Sequence, residues 1–217
     1  ESLFREFVEL LTTARHRICY SCVREPAPAF ASVIDRLVYD YEYSEIVTDD
    51  RTLYEKISAY AQQRLPSKKI RFYEDEMIGL SKLYSLDTKI EEALQNKVWL
   101  KSGAYIVIEH TEAMTVIDVN SGKFEGSEKK RTMEYDVNIE ACAEIALQLR
   151  LRNISGIILV DFINMQDELQ KEALMQTLKE YVSVDKQKCM VVDMTMLGLV
   201  ELTRRKDYKP LYEQFHS

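Results

Sequence analysis

The chain has 217 residues, and its 29 Lys and Arg against 36 Asp and Glu give a formal net charge of −7. Hydrophobic residues make up 46% and charged residues 30%, with only 6 Gly and 4 Pro, which excludes a disordered or collagen-like chain. No apolar run approaches the roughly 20 residues of a transmembrane helix, and the acidic start lacks the basic region of a signal peptide. We therefore expect a folded cytoplasmic protein with no membrane span. Because Glu1 is not Met, we also expect a piece of a longer protein.

The first hundred residues predict a small α+β scaffold. Residues 1–18 carry apolar residues at helical spacing, Pro26 and Pro28 indicate an extended linker, and residues 30–39 resume a helical stripe. The other elements predicted for this part are a strand at 45–48, a helix with Asp50 as its N-cap, a strand at 69–73, and a helix through Ile90 and Leu94 that leads into residues 98–100.

After residue 100 the pattern becomes that of an α/β layer structure. Two β-rich runs, 105–108 and 114–119, predict a hairpin. Residues 156–161 are almost wholly apolar, which predicts a strand buried on both faces of its sheet. The other predicted elements are a helix at 134–151 with an apolar stripe of Ile139, Cys142, Ala146 and Leu149, a helix at 166–181 and a strand at 189–192.

Four cysteines are spread over the chain, and two of them, Cys19 and Cys22, form a CxxC pair. A structural zinc site needs four ligands, and no second pair follows at a suitable spacing. A redox pair would sit at a helix N-terminus after a strand, whereas this pair follows a basic helical stretch. The pattern favours incidental thiols in a reducing compartment.

Two acidic residues interrupt apolar strands of the second half. Asp118 lies within the run 116–119, and Asp161 ends the run 157–161. Residues i and i+2 share one face of a strand, so Asn120 can donate a hydrogen bond that orients the Asp118 carboxylate. If the two strands are neighbours, the two carboxylates converge at the carboxyl end of the sheet, where ligands commonly bind in open α/β folds.

Two carboxylates without a nearby His or Cys suit a hard cation such as Mg²⁺, which prefers oxygen ligands and retains several waters. The alternative is that each Asp caps a strand end or pairs with a basic residue. Basic residues do lie near these acids in the sequence: Lys123, Arg150 and Arg152 could contact backbone phosphates of a substrate strand. The two arginines could equally complement the C-terminal dipole of their helix.

The second half of the chain resembles the catalytic segment of the bacterial ribonuclease E/G family. The resemblance rests first on residues 103–123, which read GAYIVIEHTEAMTVIDVNSGK, and the other matching segments follow in the family's order and spacing. They are residues 138–141, 144–156 and 160–165, with a weaker match at 197–204. Residues 29–100 are similar to the family's ribonuclease H-like subdomain, but more loosely.

This resemblance implies an α/β (α+β) fold in which a ribonuclease H-like scaffold precedes a deoxyribonuclease I-like catalytic subdomain. The implied domains are a helical remnant of the 5′-sensor region at 1–24, the scaffold at 25–100 and the catalytic subdomain at 101–217. The implied activity is cleavage of single-stranded RNA in RNA processing and decay, leaving 5′-phosphate and 3′-hydroxyl ends.

The resemblance also implies the site. Asp118 and Asp161 would hold one magnesium ion, and Asn120 would position the first of them, so these three residues are the predicted catalytic set. Predicted RNA contacts are Lys123, Asn138, Arg150 and Arg152. The family's zinc link would lie outside this chain, in a full-length parent that forms a homo-oligomer.

The sequence departs from the family pattern at Asn164, where the family usually has Asp. No oligonucleotide-binding barrel and no 5′-phosphate sensor pair is found, so we expect a chain that carries the chemistry without the RNA clamp. These departures leave two alternatives open: a magnesium phosphodiesterase acting on a substrate other than RNA, and a non-catalytic RNA-binding scaffold.

Overall fold

The computed structural model describes residues 2–23, 30–31, 33–34, 43–64, 69–122 and 130–215. The chain divides into two compact units, residues 1–84 and 85–217. Each unit is described by itself below. Among the described helices, none combines the length and the apolar character that crossing a bilayer requires.

The first unit contains a two-stranded parallel sheet and helices. Its elements are α1 (Ser2–Ala14), β1 (Glu45–Thr48), α2 (Arg51–Arg64), β2 (Lys69–Phe72) and α3 (Leu80–Leu83). Helix α2 begins as predicted, because Oδ1 of Asp50 accepts a hydrogen bond of 2.9 Å from the backbone N–H of Leu53. The predicted linker at Pro26 and Pro28 and most of the predicted helix 30–39 lie outside the described residues.

The second unit contains a six-stranded mixed sheet with the strand order β3-β4-β5-β6-β8-β7. Its elements are α4 (Leu86–Leu94), β3 (Lys97–Trp99), β4 (Tyr105–His110), β5 (Met114–Asn120), α5 (Lys130–Leu151), β6 (Gly156–Asp161), α6 (Glu168–Ser183), β7 (Cys189–Met194), β8 (Leu199–Arg204) and α7 (Leu211–Phe215). The predicted hairpin is confirmed as β4 and β5, which pair antiparallel.

Strand β3 pairs antiparallel with β4, so residues 97–99 belong to the second sheet rather than to the first part of the chain. The second unit accordingly begins at residue 85, whereas the predicted boundary lay at residue 100. The assignment of the two units to ribonuclease H-like and deoxyribonuclease I-like subdomains stays a prediction.

The core of the second unit lies between one face of the sheet and helices α5 and α6. The predicted stripe of α5 is confirmed, since Cys142, Ala146 and Leu149 are buried and Ile139 packs against them. The sheet contributes fully buried side chains from alternate positions of its central strands, among them Ile106, Ile108, Ile117, Ile158, Val160, Val200 and Leu202.

The prediction that the strand at 156–161 is buried on both faces is wrong for this structure. Ile158 and Val160 face the helices and are buried, but Ile157 on the other face is half exposed. Both helices of the crossover connections cover the same side of the sheet, so its second side is open within the described residues. That open side carries the candidate functional residues.

Candidate active site at the carboxyl end of the sheet

The two aspartates singled out in the sequence lie side by side. Strands β5 and β6 are parallel neighbours, and Asp118 is the register partner of Asp161. Neighbouring strands are about 4.8 Å apart, and paired residues point to the same face of the sheet. Both carboxylates are exposed. They therefore face solvent together on the open side of the sheet. The sequence predicted that the two carboxylates converge if their strands are neighbours, and the strands are neighbours.

Asn120 orients one of these carboxylates. Its Nδ2 donates a hydrogen bond of 2.7 Å to Oδ2 of Asp118, as the i, i+2 spacing on the strand predicts. The bond engages one oxygen of Asp118 and fixes the direction of the other. Among the described residues, no ion pair involves Asp118 or Asp161.

Asn138 ties helix α5 to the loop that follows Asp161. Its side chain is completely buried. Nδ2 donates to the carbonyl of Ile163 at 2.8 Å, and Oδ1 accepts from the N–H of the same residue at 3.0 Å. The amide thus satisfies both backbone groups of Ile163, two residues after Asp161. The structure gives Asn138 this positioning role, and the RNA contact that the sequence predicted for it stays a prediction.

A second connection from α5 was not found from the sequence. Oε1 of Glu140 accepts hydrogen bonds from the backbone N–H groups of Lys101 at 2.7 Å and Ser102 at 3.3 Å, in the turn between β3 and β4. The sequence does not distinguish a helical glutamate that binds the backbone of a distant turn from one that is simply exposed to solvent. Asn138 and Glu140 together hold two loops at the same end of the sheet as the aspartates.

The close approach of two glycines shapes the chain just after Asn120. Gly122 has φ +69, and a Cβ built on it would lie 2.7 Å from the carbonyl oxygen of Gly103. Only glycine combines this left-handed backbone with so short a distance to a neighbouring strand end. The pair closes the end of the β4–β5 ladder beside the Asn120 side chain.

A cleft of about 240 Å³ lies beside Asp161. The loop after β6 forms one wall and the β7–β8 turn forms another, with Asp161, Asn164, Lys171 and Leu197 among the lining residues. Nζ of Lys171 is 2.8 Å from Oε1 of Glu168, so this cation already has a carboxylate partner on the same helix. Asn164, the departure from the family pattern, is exposed and lies on the wall next to Asp161.

Two of the other predicted RNA contacts, Arg150 and Arg152, lie at and directly after the C-terminal end of α5. Arg152 is only 4% exposed, and its guanidinium donates to Oε1 of Gln148 and to the carbonyl of Gln95, both at 2.6 Å. Burial lowers the pKa of Arg152, and the nearby Glu144 carboxylate opposes that shift. The structure therefore gives Arg152 partners within the protein, and its contact with RNA stays a prediction. Arg150 is partly buried, and Lys123 lies outside the described residues.

The donor set fits a hard cation. Asp118 and Asp161 offer carboxylate oxygens on one solvent-facing surface, and an amide rather than a thiol or imidazole supports them. No group of three or more His, Cys, Asp or Glu suited to a metal occurs among the described residues. Two carboxylates are nevertheless sufficient for magnesium, which fills its remaining positions with water and substrate oxygens.

Comparison with known proteins gives a consistent result. A sequence profile of the Ribonuclease E/G family matches residues 1–207. Ribonuclease E of Synechocystis sp. is 38% identical over 190 residues, which cover 86% of this chain and 28% of that protein. Ribonuclease G of Escherichia coli (strain K12) is 37% identical over 180 residues, covering 82% of this chain and 37% of that protein. The chain thus spans about a third of the length of these curated relatives.

Proposed function

The chain belongs to the ribonuclease E/G family, and from this membership we propose that it carries the catalytic site of a magnesium-dependent endoribonuclease. The substrate would be single-stranded RNA, cleaved in cytoplasmic RNA processing and decay to leave 5′-phosphate and 3′-hydroxyl ends. The observation that carries the proposal is the direct pairing of Asp118 with Asp161 on the open face of the sheet.

In this proposal Asp118 and Asp161 hold one Mg²⁺ ion between them. When bound, such an ion supplies Lewis-acid polarisation of the scissile phosphodiester and activates water for attack. Asn120 keeps one Asp118 oxygen engaged, so that the other is directed at the ion without a cost in side-chain entropy at the moment of binding.

The backbone around the second ligand is fixed by α5. Asn138 holds Ile163, and this restrains the chain on the C-terminal side of Asp161. The strand itself restrains the N-terminal side through its pairing with β5 and β8. A ligand held on both sides keeps its place when substrate arrives, which is the condition for efficient electrostatic catalysis.

The test is substitution of each ligand in the full-length protein. Asp118→Asn and Asp161→Asn should each lower the rate of RNA cleavage by about a hundredfold or more, since metal stabilisation of the transition state contributes several kcal/mol. The measurement is single-turnover cleavage of a labelled RNA over a magnesium titration, with circular dichroism to verify the fold.

Asp193→Asn is the matched control, because Asp193 is an exposed aspartate of the same sheet, on strand β7. It should cleave like the unmodified protein and need the same magnesium concentration. Full cleavage by either ligand variant would refute the assignment. Cleavage of single-stranded DNA at the same rate as RNA would favour a phosphodiesterase of broader substrate range, because the 2′-hydroxyl is what distinguishes the two.

A further inference from the structure

We propose that Lys97, Trp99 and Tyr105 form a stacking platform for the base of a nucleotide next to the scissile phosphate. This inference rests on the proposed function, since it names how RNA is held at the same site. The three residues are called the platform below. They lie on strands β3 and β4, beside the strand that carries Asp118.

The register of the sheet places the platform next to the metal ligands. Trp99 is the partner of Tyr105, and Tyr105 is the partner of Asn120. These three side chains therefore form one row across the sheet, on the face that Asp118 shares with Asn120. Val98, the neighbour of Trp99, packs on the core at the opposite face, which agrees with that orientation.

The same register gives a second row on this face. Lys97 is the partner of Val107, and Val107 is the partner of Asp118. With strands about 4.8 Å apart, the backbone of Lys97 is about 10 Å from that of Asp118. An RNA strand with one phosphate at the aspartates can place an adjacent base over this part of the sheet.

The side chains of the platform are arranged for recognition of a base rather than for burial. The rings of Trp99 and Tyr105 meet edge to face, with centroids 5.2 Å apart and an interplanar angle of 62°. Nζ of Lys97 lies 4.0 Å from the Trp99 ring centroid and 3.5 Å from that of Tyr105. Trp99 nevertheless remains 63% exposed, so a large part of the indole is available for stacking.

The chemistry of these groups matches single-stranded RNA. Aromatic rings stack on unpaired bases with little regard to sequence, and a nearby cation binds the phosphate backbone. Lys97 supplies a positive charge on the face of the sheet that carries the two carboxylates, two strands away from Asp118. A purely structural cross-strand pair would stabilise β3 on β4 without making Trp99 sensitive to RNA.

The experiment uses the full-length protein with Asp118→Asn, so that a short unstructured RNA binds without being cut. Trp99 is the only tryptophan of this chain. Its contribution to the tryptophan fluorescence is obtained by subtracting the emission of the same protein with Trp99→Phe. RNA should quench that contribution. Trp99→Ala should weaken RNA binding about tenfold, the size expected for loss of one stacked base, and Trp99→Phe should restore most of it.

Two controls separate stacking from stability. Tyr181→Ala removes an exposed aromatic ring from helix α6 of the same unit and should leave RNA binding unchanged. The second control is a series of RNAs, each with one abasic nucleotide at a different position. Trp99→Ala should no longer weaken binding when the abasic nucleotide is at the position that stacks on Trp99, and should still weaken binding of the other RNAs. An unquenched Trp99, or the same penalty with every abasic RNA, would overturn the platform.

The platform and the proposed function fail in different ways. If Asp118→Asn abolishes cleavage while Trp99→Ala binds RNA normally, the platform alone is refuted. If Asp118→Asn cleaves RNA at the normal rate, the metal assignment is refuted, while a position-specific abasic effect would still support stacking on Trp99.

Discussion

Substitution of Asn138 by Ala separates the role that the structure gives this residue from the role that the sequence suggested. The change removes a buried amide that makes two hydrogen bonds to the backbone of Ile163. Each bond contributes about 1 kcal/mol net, and leaving buried partners unsatisfied adds a desolvation cost. We therefore expect the free energy of unfolding to fall by about 2–4 kcal/mol.

The functional consequence should be equally specific. Because Asn138 restrains the loop after Asp161, its loss should lower kcat for RNA cleavage more than it raises KM. Substitution of a residue that only contacts RNA would instead weaken RNA binding and leave the free energy of unfolding unchanged. The assays are urea unfolding followed by circular dichroism, and cleavage kinetics of the full-length protein over a range of RNA concentrations.

Two comparison variants sharpen this test. Asn138→Asp keeps the oxygen that accepts from Ile163, but it buries a charge facing the Ile163 carbonyl, so it should destabilise at least as much as Asn138→Ala. Asn96→Ala removes an exposed amide from the same unit and should change stability by less than about 0.5 kcal/mol. Unchanged stability of Asn138→Ala together with weak RNA binding would refute the positioning role.

Two further predictions concern stability. Gly122→Ala should lower the free energy of unfolding by at least about 1–2 kcal/mol, because it places a side chain on a left-handed backbone and a Cβ 2.7 Å from the Gly103 oxygen. Gly79→Ala is the control, because Gly79 has φ −66 and open space around it, and equal effects of the two substitutions in urea unfolding would contradict this reasoning. Burial and, to a smaller extent, the charge of Arg152 lower the pKa of His110. The unfolded chain then binds more protons than the folded one as pH falls below about 6.5, so the contribution of His110 to stability is present above that pH and lost below it. The melting temperature should accordingly fall less between pH 7 and pH 5 in His110→Gln than in the unmodified protein, and parallel curves would exclude this contribution.

The sequence by itself determined much of the candidate site. Asp118 and Asp161 stand out because a carboxylate is costly inside an apolar strand, and the i, i+2 rule places Asn120 beside the first of them. The N-cap at Asp50 and the apolar stripe of α5 follow from the same kind of local chemistry. Such features depend on residues a few positions apart in the chain, and patterns in the sequence reveal interactions over that distance.

Only the tertiary structure decided which strands are neighbours. Strand β8 was not predicted, and it inserts between β6 and β7. The edge strand β3 was not assigned either, although its pairing with β4 places Trp99 in one row with Tyr105 and Asn120. The pairing of β8 with β6 joins segments that are far apart in the chain, such as Val160 with Val200, so no local pattern determines it.

Only the tertiary structure decided the burial of two polar residues, Asn138 on α5 and Arg152 directly after it. Both look like surface groups in the sequence, yet both are buried once α5 packs against the sheet and against α6. The Asn138 amide pairs with the backbone of Ile163, far away in the chain. The Arg152 guanidinium donates through Nε to Gln148 and through Nη1 to the distant Gln95 carbonyl, whereas its Nη2 is buried without a hydrogen-bond partner among the described residues. Hydrogen-bond partners separated by 25 and 57 residues come together only when the sheet assembles. The chemistry of the two aspartates is therefore present in the sequence, while the scaffold that aims them exists only in the folded protein.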